Sequence, residues 1–376
     1  MKKALIVSNS SGLITLFLKN DVEILKSKGY HIECACNANF PDNNTEEFFR
    51  EYNITVFHIE FPIRNIDIKQ LVKSHLKLKK IITSGKYDLI HCHSTIAAVL
   101  ARECAKGIRK RGTKIVYTSH GFPFYEGNDG KKARIFYQIE RHYSKYTDAI
   151  LTICKEDFEN AKKMKCRNVF LMHGVGVDID RFINSHIDRA AYREKLGFLS
   201  SDKVILSVGE LNTNKNHQIV IRALAELKDR NLIYAICGRE VTEKGKMQEL
   251  QLLADFLNVR LKFLGFRKDI PEVCRSVEIG ALPSYKEGLG LSGIEMLACG
   301  IPLVGSCRQG IKDYVIEGVT GFLANPNDAH SFAKAIDSAM NLKKNNETSE
   351  NCVLMAKHFG VEQACSTLLK AYDTVL

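Results

Sequence analysis

The feature that most constrains this chain is an alternation of short apolar segments with helical stretches, which runs once through the first half and then starts again. Ala4–Val7, Ile32–Ala35, Val56–Ile59, Leu89–Cys92, Ile115–Ser119, Ala149–Ile153 and Val169–Met172 read as strands, with helical patterns between them such as Leu16–Ser27 and Ile96–Arg109. After Phe198 the pattern restarts, with strands at Val204–Val208, Tyr234–Cys237, Leu261–Phe263, Ile279–Leu282 and Leu303–Gly305. Helices are predicted near His217–Lys228, Lys244–Leu257, Gly293–Cys299 and Ala329–Asn341. Such alternation implies a parallel sheet covered by helices on both faces. A chain of 376 residues is also longer than one ordinary core supports. The expectation is α/β, with two Rossmann-like doubly wound domains facing a cleft and ligands bound beyond the C-terminal strand edges. Gly174–Phe182 is the predicted linker, dividing the chain into domains 1–178 and 179–360, and the polar stretch Asn341–Asn351 reads as a surface loop or helix end.

Composition narrows the class. Residues are 45% hydrophobic with only seven prolines, and no apolar run approaches the ~20 residues of a membrane span. Lys2 and Lys3 precede Ala4–Val7, but the apolar part stops at Ser8, too short for a signal-peptide core, so a cytosolic protein is expected. The twelve cysteines are scattered without a C-x-x-C and read as reduced, mostly buried small hydrophobes. His91-Cys92-His93 puts two histidines on one strand face, but no second ligand cluster has suitable spacing, and no metal is assigned. The net charge of +11 is concentrated up to Asp180, where 29 Lys and Arg meet 20 Asp and Glu.

Two glutamates eight residues apart, Glu287 and Glu295, mark the most informative run, Leu282 to Pro302. A strand ends at Leu282, a loop with Gly288, Gly290 and Gly293 follows, and a helix starts at Ile294–Ala298. Glycines at a strand-to-helix turn let backbone approach a ligand, and a helix N-terminus offers N–H groups to an anion. One carboxylate lies in the loop and the other a turn into the helix, so the pair can hold two parts of one polyol-phosphate ligand. The other reading is a turn and an amphipathic helix with two solvated glutamates. Upstream, the strand ending at Gly209 is followed by a polar loop carrying Lys215, a point charge able to neutralise a diphosphate. In the first half His120 ends a strand, where it either hydrogen-bonds a sugar hydroxyl or caps its loop.

The Glu287–Glu295 run resembles the E-x7-E signature of retaining glycosyltransferases of the GT-B fold, family four, also called glycosyl transferases group 1. The resemblance implies that Glu295 binds the nucleotide ribose and that Glu287 lies beside the donor sugar. Gly290, Leu291 and Ser292 match the amide stretch that holds the sugar and its diphosphate. Lys215 matches the lysine of a strand-loop motif that clamps the leaving diphosphate, with Gly209 at the strand end. Glu210 stands where that motif has an arginine; either Arg239, in Cys237-Gly238-Arg239-Glu240, compensates or Glu210 faces away. Phe263–Ile270, including Phe266, resembles the segment against the nucleobase. Ser8–Gly12 is similar to the glycine-rich first loop, with Gly12 its one glycine, and a strand-end histidine near the donor sugar corresponds to His120. The segments Cys307–Tyr314 and Gly318–Leu323 resemble downstream turns, and the last helix, about 361–376, is expected to pack back on the first domain. Asp178-Ile179-Asp180 has the form of a metal-binding D-x-D, but it sits in the predicted linker and is not read as a metal site.

The expected activity is transfer of a sugar, with retained anomeric configuration, from a nucleoside-diphosphate sugar to a polyprenyl-diphosphate-linked saccharide. UDP-hexose or UDP-N-acetylhexosamine is the expected donor. The subgroup resembled is that of bacterial capsule, exopolysaccharide or O-antigen biosynthesis, and it implies no cofactor and no metal. The alternatives are a nucleotide-sugar epimerase on this fold and a non-catalytic partner subunit. Phe122, Phe124 and Tyr125 are either aromatic walls for an acceptor or loop packing. The basic stretch Arg64–Lys86, with Ile66, Ile68, Leu71, Val72, Leu76 and Ile81 on one face, is either a solvated helix or a contact with the inner face of the cytoplasmic membrane. No nucleic-acid-binding motif is present.

Overall fold

Apolar segments without an exposed face become the buried strands of two parallel sheets, which is what continuous Val/Ile/Leu runs dictate once helices cover both sides. The computed structural model describes residues 1–42, 44–62, 67–128, 130–343 and 346–376. The chain divides into two compact units: unit 1 is Met1–Gly176 with Val361–Leu376, and unit 2 is Val177–Gly360.

Unit 1 contains strands β1 (Lys2–Ser10), β2 (Tyr30–Asn37), β3 (Thr55–His58), β4 (Leu89–His93), β5 (Lys114–Ser119), β6 (Ala149–Thr152) and β7 (Asn168–Leu171). Its helices are α1 (Ser11–Phe17), α2 (Lys19–Ser27), α3 (Thr45–Glu51), α4 (Ile68–Gly85), α5 (Thr95–Arg109), α6 (Lys131–Tyr143) and α7 (Lys155–Lys162). The sheet order is β3-β2-β1-β4-β5-β6-β7, all parallel, with Ala4 to Val7 of β1 paired to Leu89 to Cys92 of β4. Ala4, Leu5, Ile6 and Val7 are fully buried.

Unit 2 contains helices α8 (Ile179–Ile183), α9 (Arg189–Lys195), α10 (His217–Leu227), α11 (Lys246–Phe256), α12 (Ile270–Arg275), α13 (Leu291–Ala298), α14 (Ala329–Leu342) and α15 (Asn346–Lys357). Its strands are β8 (Lys203–Val208), β9 (Leu232–Cys237), β10 (Arg260–Gly265), β11 (Ile279–Leu282), β12 (Leu303–Ser306) and β13 (Gly321–Ala324), in the order β10-β9-β8-β11-β12-β13. The order reverses between β8 and β11, and a doubly wound sheet leaves its ligand crevice at such a switch point. The last helix, α16 (Val361–Val375), belongs to unit 1, where Ala364, Leu368, Ala371 and Tyr372 are buried.

Several elements differ from the sequence expectation. Leu16–Ser27 is not one helix: Ser10 caps α1 by accepting from Leu13 N at 3.3 Å, and the buried Leu18, at φ −113°, separates α1 from α2. The polar stretch after Asn341 contains α15, whose buried stripe is built from Thr348, Cys352 and Ala356 at helical spacing. Lys344 and Asn345 of that stretch lie outside the described residues. In the predicted linker, Asp178 caps α8 by accepting from Arg181 N at 3.2 Å, a structural use of the D-x-D pattern. All twelve cysteines are free thiols and ten are buried.

The strand ends of unit 2 are laced together by backbone hydrogen bonds. Gly209 N donates to Cys237 O and Gly238 N donates to Gly265 O, each at 2.9 Å. A Cβ on Gly238 would stand 1.7 Å from Gly209 O, so only glycine lets the turns after β8 and β9 approach this closely. Gly238→Ala is therefore expected to destabilise unit 2 by about 2–3 kcal/mol through forced separation of the two turns. Urea unfolding measures it; a change within about 0.5 kcal/mol, the range of an ordinary surface substitution, would show that the turns tolerate a side chain.

Candidate active site

In unit 2 the loop after β8 meets the loop after β11 across the switch point. Asn214 Nδ2 donates to Lys286 O at 2.9 Å, and Asn214 O accepts from Tyr285 N at 2.9 Å. Asn216, held at φ +52°, donates to Pro283 O and Pro326 O at 3.1 and 2.8 Å. Asparagine adopts that left-handed conformation more readily than bulkier side chains. Asn212 accepts from Lys215 N at 3.0 Å and fixes the turn from which the lysine projects. Lys215 lays its stem against Gly209 and brings Nζ to 2.7 Å from Glu287 Oε2. Ser284 Oγ donates to the same carboxylate oxygen at 3.1 Å, and only 18% of the Glu287 side chain is exposed. Glu287 is thus a held carboxylate with a cation on it, not a solvated one.

Glu295 lies one turn into α13. Burial pushes its carboxyl above the ordinary carboxylate range, and Arg181 acts in the opposite direction. Between the two glutamates Gly290, at φ +77°, is the N-cap of α13, and Leu291 and Ser292 form the first helical positions. The buried Tyr314 donates its O–H to Gly290 O at 3.0 Å, and Gly310 N donates to Glu287 O at 3.3 Å. A Cβ on Gly290 would fall 2.9 Å from both Glu287 Cγ and Tyr314 Oη. The turn Cys307–Tyr314 therefore buttresses the glutamate loop from behind, a role its sequence did not reveal.

The structure answers where Glu210 points. Its Oε1 accepts from Thr242 N at 2.5 Å and also from the Thr242 hydroxyl, tying the β8 loop to the loop before α11. Arg239 stacks its guanidinium 4.8 Å over the ring of Phe266, so these two residues form one cation–π unit at the ends of β9 and β10. Beneath the loops, His217 Nδ1 meets Tyr234 Oη at 2.7 Å, and Tyr234 donates to Ser207 Oγ at 2.8 Å, which donates to Ala281 O at 2.7 Å. Burial pushes His217 down to about 4, so this strut under β8, β9 and β11 is uncharged at neutral pH. His217 and Tyr234 were not singled out from sequence, since each sits in an otherwise ordinary helix or strand pattern.

Unit 1 holds the remaining predicted residues. Gly12 does not lie in a loop, since β1 runs to Ser10 and α1 starts at Ser11; it is the second residue of that helix, and its N–H is already engaged by Phe40 O at 2.9 Å. His120 follows β5 and brings Nε2 to 3.2 Å from His93 Nδ1. The loop after it is anchored by Asp157, which accepts from Phe122 N at 2.7 Å. Phe122 and Phe124 are buried and stacked at 4.7 Å, with Tyr137 edge-on to Phe124, so both pack into the core of unit 1 and neither is an open wall. Tyr125 lines a 540 Å³ groove with Arg134, Gln138 and Lys163. The donor atoms of Asp21, His91 and His93 lie within 4.8 Å of one another, a spacing that could hold a metal ion. Both ring nitrogens of His91 are nevertheless hydrogen-bonded, to Tyr372 Oη and Thr118 Oγ1 at 2.8 Å each.

The family described as glycosyl transferases group 1 matches residues 188–373, and glycosyl transferase 4-like matches residues 3–154. The putative glycosyltransferase EpsD of Bacillus subtilis is 32% identical over 319 residues, spanning 83% of this chain and 80% of that protein. The UDP-Gal:alpha-D-GlcNAc-diphosphoundecaprenol alpha-1,3-galactosyltransferase of Escherichia coli is 28% identical over 340 residues, or 88% and 86% of the two chains. Among solved structures, Anabaena HepE in complex with UDP matches with a TM-score of 0.79 over 100% of both chains at 20% identity. The lipopolysaccharide outer core galactosyltransferase WaaB in its apo form matches with a TM-score of 0.71 over 100% of both chains at 18% identity.

Because Glu210 holds Thr242 through two hydrogen bonds, Glu210→Ala is expected to speed hydrogen exchange at the Thr242 amide by about tenfold or more, as a charge-assisted bond worth ~1.5–3 kcal/mol is lost. Mass-resolved exchange of peptides spanning 239–246 reads this directly. Unchanged protection there would show that the loop is held by something other than Glu210.

Proposed function

Since the chain belongs to the glycosyl transferases group 1 family and is a GT-B glycosyltransferase, we propose that unit 2 binds a UDP-sugar and that the sugar passes, with retained configuration, to a polyprenyl-diphosphate-linked saccharide. The observation that carries this reading is the Lys215–Glu287 pair at the switch point, with Glu295 one turn into the following helix. Support for the donor comes from the UDP bound to Anabaena HepE and from the UDP-Gal named for the Escherichia coli relative, whose printed acceptor is a GlcNAc-diphosphoundecaprenol.

Each residue has a chemical task in this reaction. As the glycosidic bond breaks, negative charge grows on the departing diphosphate, and fixed donors stabilise it more in the transition state than before it. Lys215 and the amides of Leu291 and Ser292 supply that charge complementarity, and Arg239, stacked on Phe266, adds a further cation in the same unit. Glu287, released from Lys215 as the diphosphate takes over the ammonium, orients a hydroxyl of the donor sugar. Glu295 accepts from the ribose hydroxyls, and Phe266 lies against the base. The leaving phosphate oxygen takes the proton of the acceptor hydroxyl as that hydroxyl attacks the same face of the sugar. Two carboxylates flanking the bond, as in glycosidases, are not required. With these cations in place the reaction calls for no metal or cofactor.

The acceptor reading assigns unit 1 to the lipid-linked saccharide and the membrane face. Its support is α4, capped by Asp67, on which Leu71, Ser74, Leu78 and Ile82 face the core while Ile68, Val72 and Leu76 are exposed at four-residue spacing. Lys69, Lys73, Lys77 and Lys80 are exposed beside that stripe. The single apolar face expected from sequence is thus two faces, and Arg64 and Ile66 of that stretch lie outside the described residues. An exposed apolar stripe edged with lysines suits an anionic bilayer surface. No helix among the described residues is long and apolar enough to cross a membrane.

The test is a mass-spectrometric transfer assay, offering UDP- and GDP-sugars with polyprenyl-diphosphate-linked GlcNAc. A hexose- or N-acetylhexosamine-sized gain on lipid is expected, absent in Glu287→Ala; conversion of a UDP-sugar without acceptor would favour an epimerase instead. Lys215→Ala is expected to lower the transfer rate by about 10²–10³, the scale of losing one preorganised electrostatic donor. Glu295→Ala is expected to weaken UDP binding by at least about tenfold in calorimetry; affinity within twofold would remove Glu295 from the ribose. Binding to anionic vesicles is expected to fall as salt rises, and binding indifferent to salt would contradict the lysine-edged surface.

A further inference from the structure

His93 is fully buried in unit 1, yet its Nε2 has no hydrogen-bond partner among the described residues. That nitrogen faces Asp21 of α2, whose Oδ1 is 3.8 Å from it and 3.2 Å from His91 Nδ1. On the other side of the ring, His93 Nδ1 is 3.2 Å from His120 Nε2. Asp21 is itself buried, so its carboxylate acts on these rings with little screening by water.

A neutral imidazole has one N–H and one lone pair, so the direction of each contact in this row is set by where the protons sit. Burial favours the neutral form of both rings: it holds His93 well below its ordinary value, reinforced by His91 and His120, and brings His120 down to about 4. If His93 carried its proton on Nδ1, the bare Nε2 lone pair would face the Asp21 carboxylate, two acceptors opposed in a dry site. With the proton on Nε2, the N–H dipole points at the carboxylate and Nδ1 is left as an acceptor. His120 must then donate from Nε2. His91 is engaged by Tyr372 and Thr118 through both its nitrogens, and its Nδ1 also lies against Asp21 Oδ1, so the carboxylate faces both rings while only His93 Nε2 is left without another partner among the described residues.

The geometry points to Asp21 and His93 as positioning residues that hold His120 as its Nε2–H tautomer, so that its Nδ1 lone pair is presented to accept a hydrogen bond from a sugar hydroxyl. His120 Nδ1 makes no hydrogen bond to the described residues, and the side chain is only partly covered. The sharing of a carboxylate along two rings has the logic of a carboxylate that orients a histidine in a hydrolytic triad, here extended by one ring and used for orientation. The inference deepens the proposed transfer reaction and rests on His120 belonging to its site.

Histidine-selective ¹⁵N labelling of the intact protein, read through long-range proton–nitrogen correlations at pH 7, reports each tautomer without reference to activity. His120 is expected protonated on Nε2 alone, its signals assigned by their loss in His120→Ala. His93→Phe, which keeps a ring but no acceptor, should turn His120 into a tautomer mixture, and His93→Asn, whose amide oxygen can accept where Nδ1 did, should restore the single form. With UDP-glucose, UDP-galactose and UDP-N-acetylglucosamine as donor probes, His93→Phe is expected to lower kcat about tenfold with donor KM within twofold, and His93→Asn to recover most of it. An Nδ1–H proton on His120 in the wild type, or a tautomer indifferent to His93→Phe, would overturn the proposal. Full transfer by His120→Ala would instead overturn the assignment of His120 to the site, with the tautomer result unaffected.

Discussion

The ion pair between Lys215 and Glu287 joins the loops after β8 and β11, the strands at which the sheet of unit 2 reverses its order. Apart from one 3-10 turn at Thr213–Lys215, neither loop has regular structure to hold it, and their mutual fit comes from this pair together with the stitches of Asn214 and Asn216. Both charges are largely covered, so removing one would leave the other desolvated and unpaired, a cost larger than the net value of the pair itself. Tyr314 and the Glu210–Thr242 link then fix the outer edges of the same surface. A ligand entering here meets groups already in place.

That preorganisation matters for sugar transfer because the chemistry asks little of the protein beyond charge placement. A departing diphosphate needs cations and amide donors at fixed positions, and these lose their value if they must reorganise during the reaction. In the proposed reaction the Lys215 ammonium exchanges one anion, Glu287, for another, the diphosphate, so its desolvation is compensated before and after donor binding. Glu210, which by its position in the sequence would repel the diphosphate, has both its reach and its charge directed to Thr242. Relative to the motif it resembles, Glu210 therefore keeps the loop tied and removes one cation, while Arg239 on Phe266 supplies positive charge at the ends of β9 and β10.

Much of this was legible in the sequence because strand periodicity and strand-end chemistry are local signals. The twelve strands read from apolar runs are present, and the further strand Gly321–Ala324 lies largely within Gly318–Leu323, a segment read from sequence as a turn because its glycines outweigh its short apolar run. Glu287, Glu295 and Lys215 announced themselves by spacing around glycines. Tyr314, His217 and Tyr234 did not, since a buried hydroxyl or imidazole that braces a loop depends on partners far away in the chain. The same holds for Asp21 and Tyr372, which only folding brings from α2 and α16 to the two histidines of β4 that the sequence did show. On α4 the periodicity was visible, but which apolar stripe faces the core is a tertiary fact, and the exposed Ile68, Val72 and Leu76 separated from the buried Leu78 and Ile82 only in three dimensions.

In the proposed reaction the sugar is transferred on the same face from a UDP-sugar held by Lys215, Glu287 and Glu295. The most direct measurement is the anomeric proton–proton coupling, by NMR, of the sugar newly joined to the lipid-linked acceptor when an α-linked UDP-hexose is the donor. An α-linkage is expected in the product, formed by the wild type and lost with Glu287→Ala. A β-linked product would contradict it, because the acceptor would then have attacked from the face opposite the diphosphate, where none of these residues could guide it.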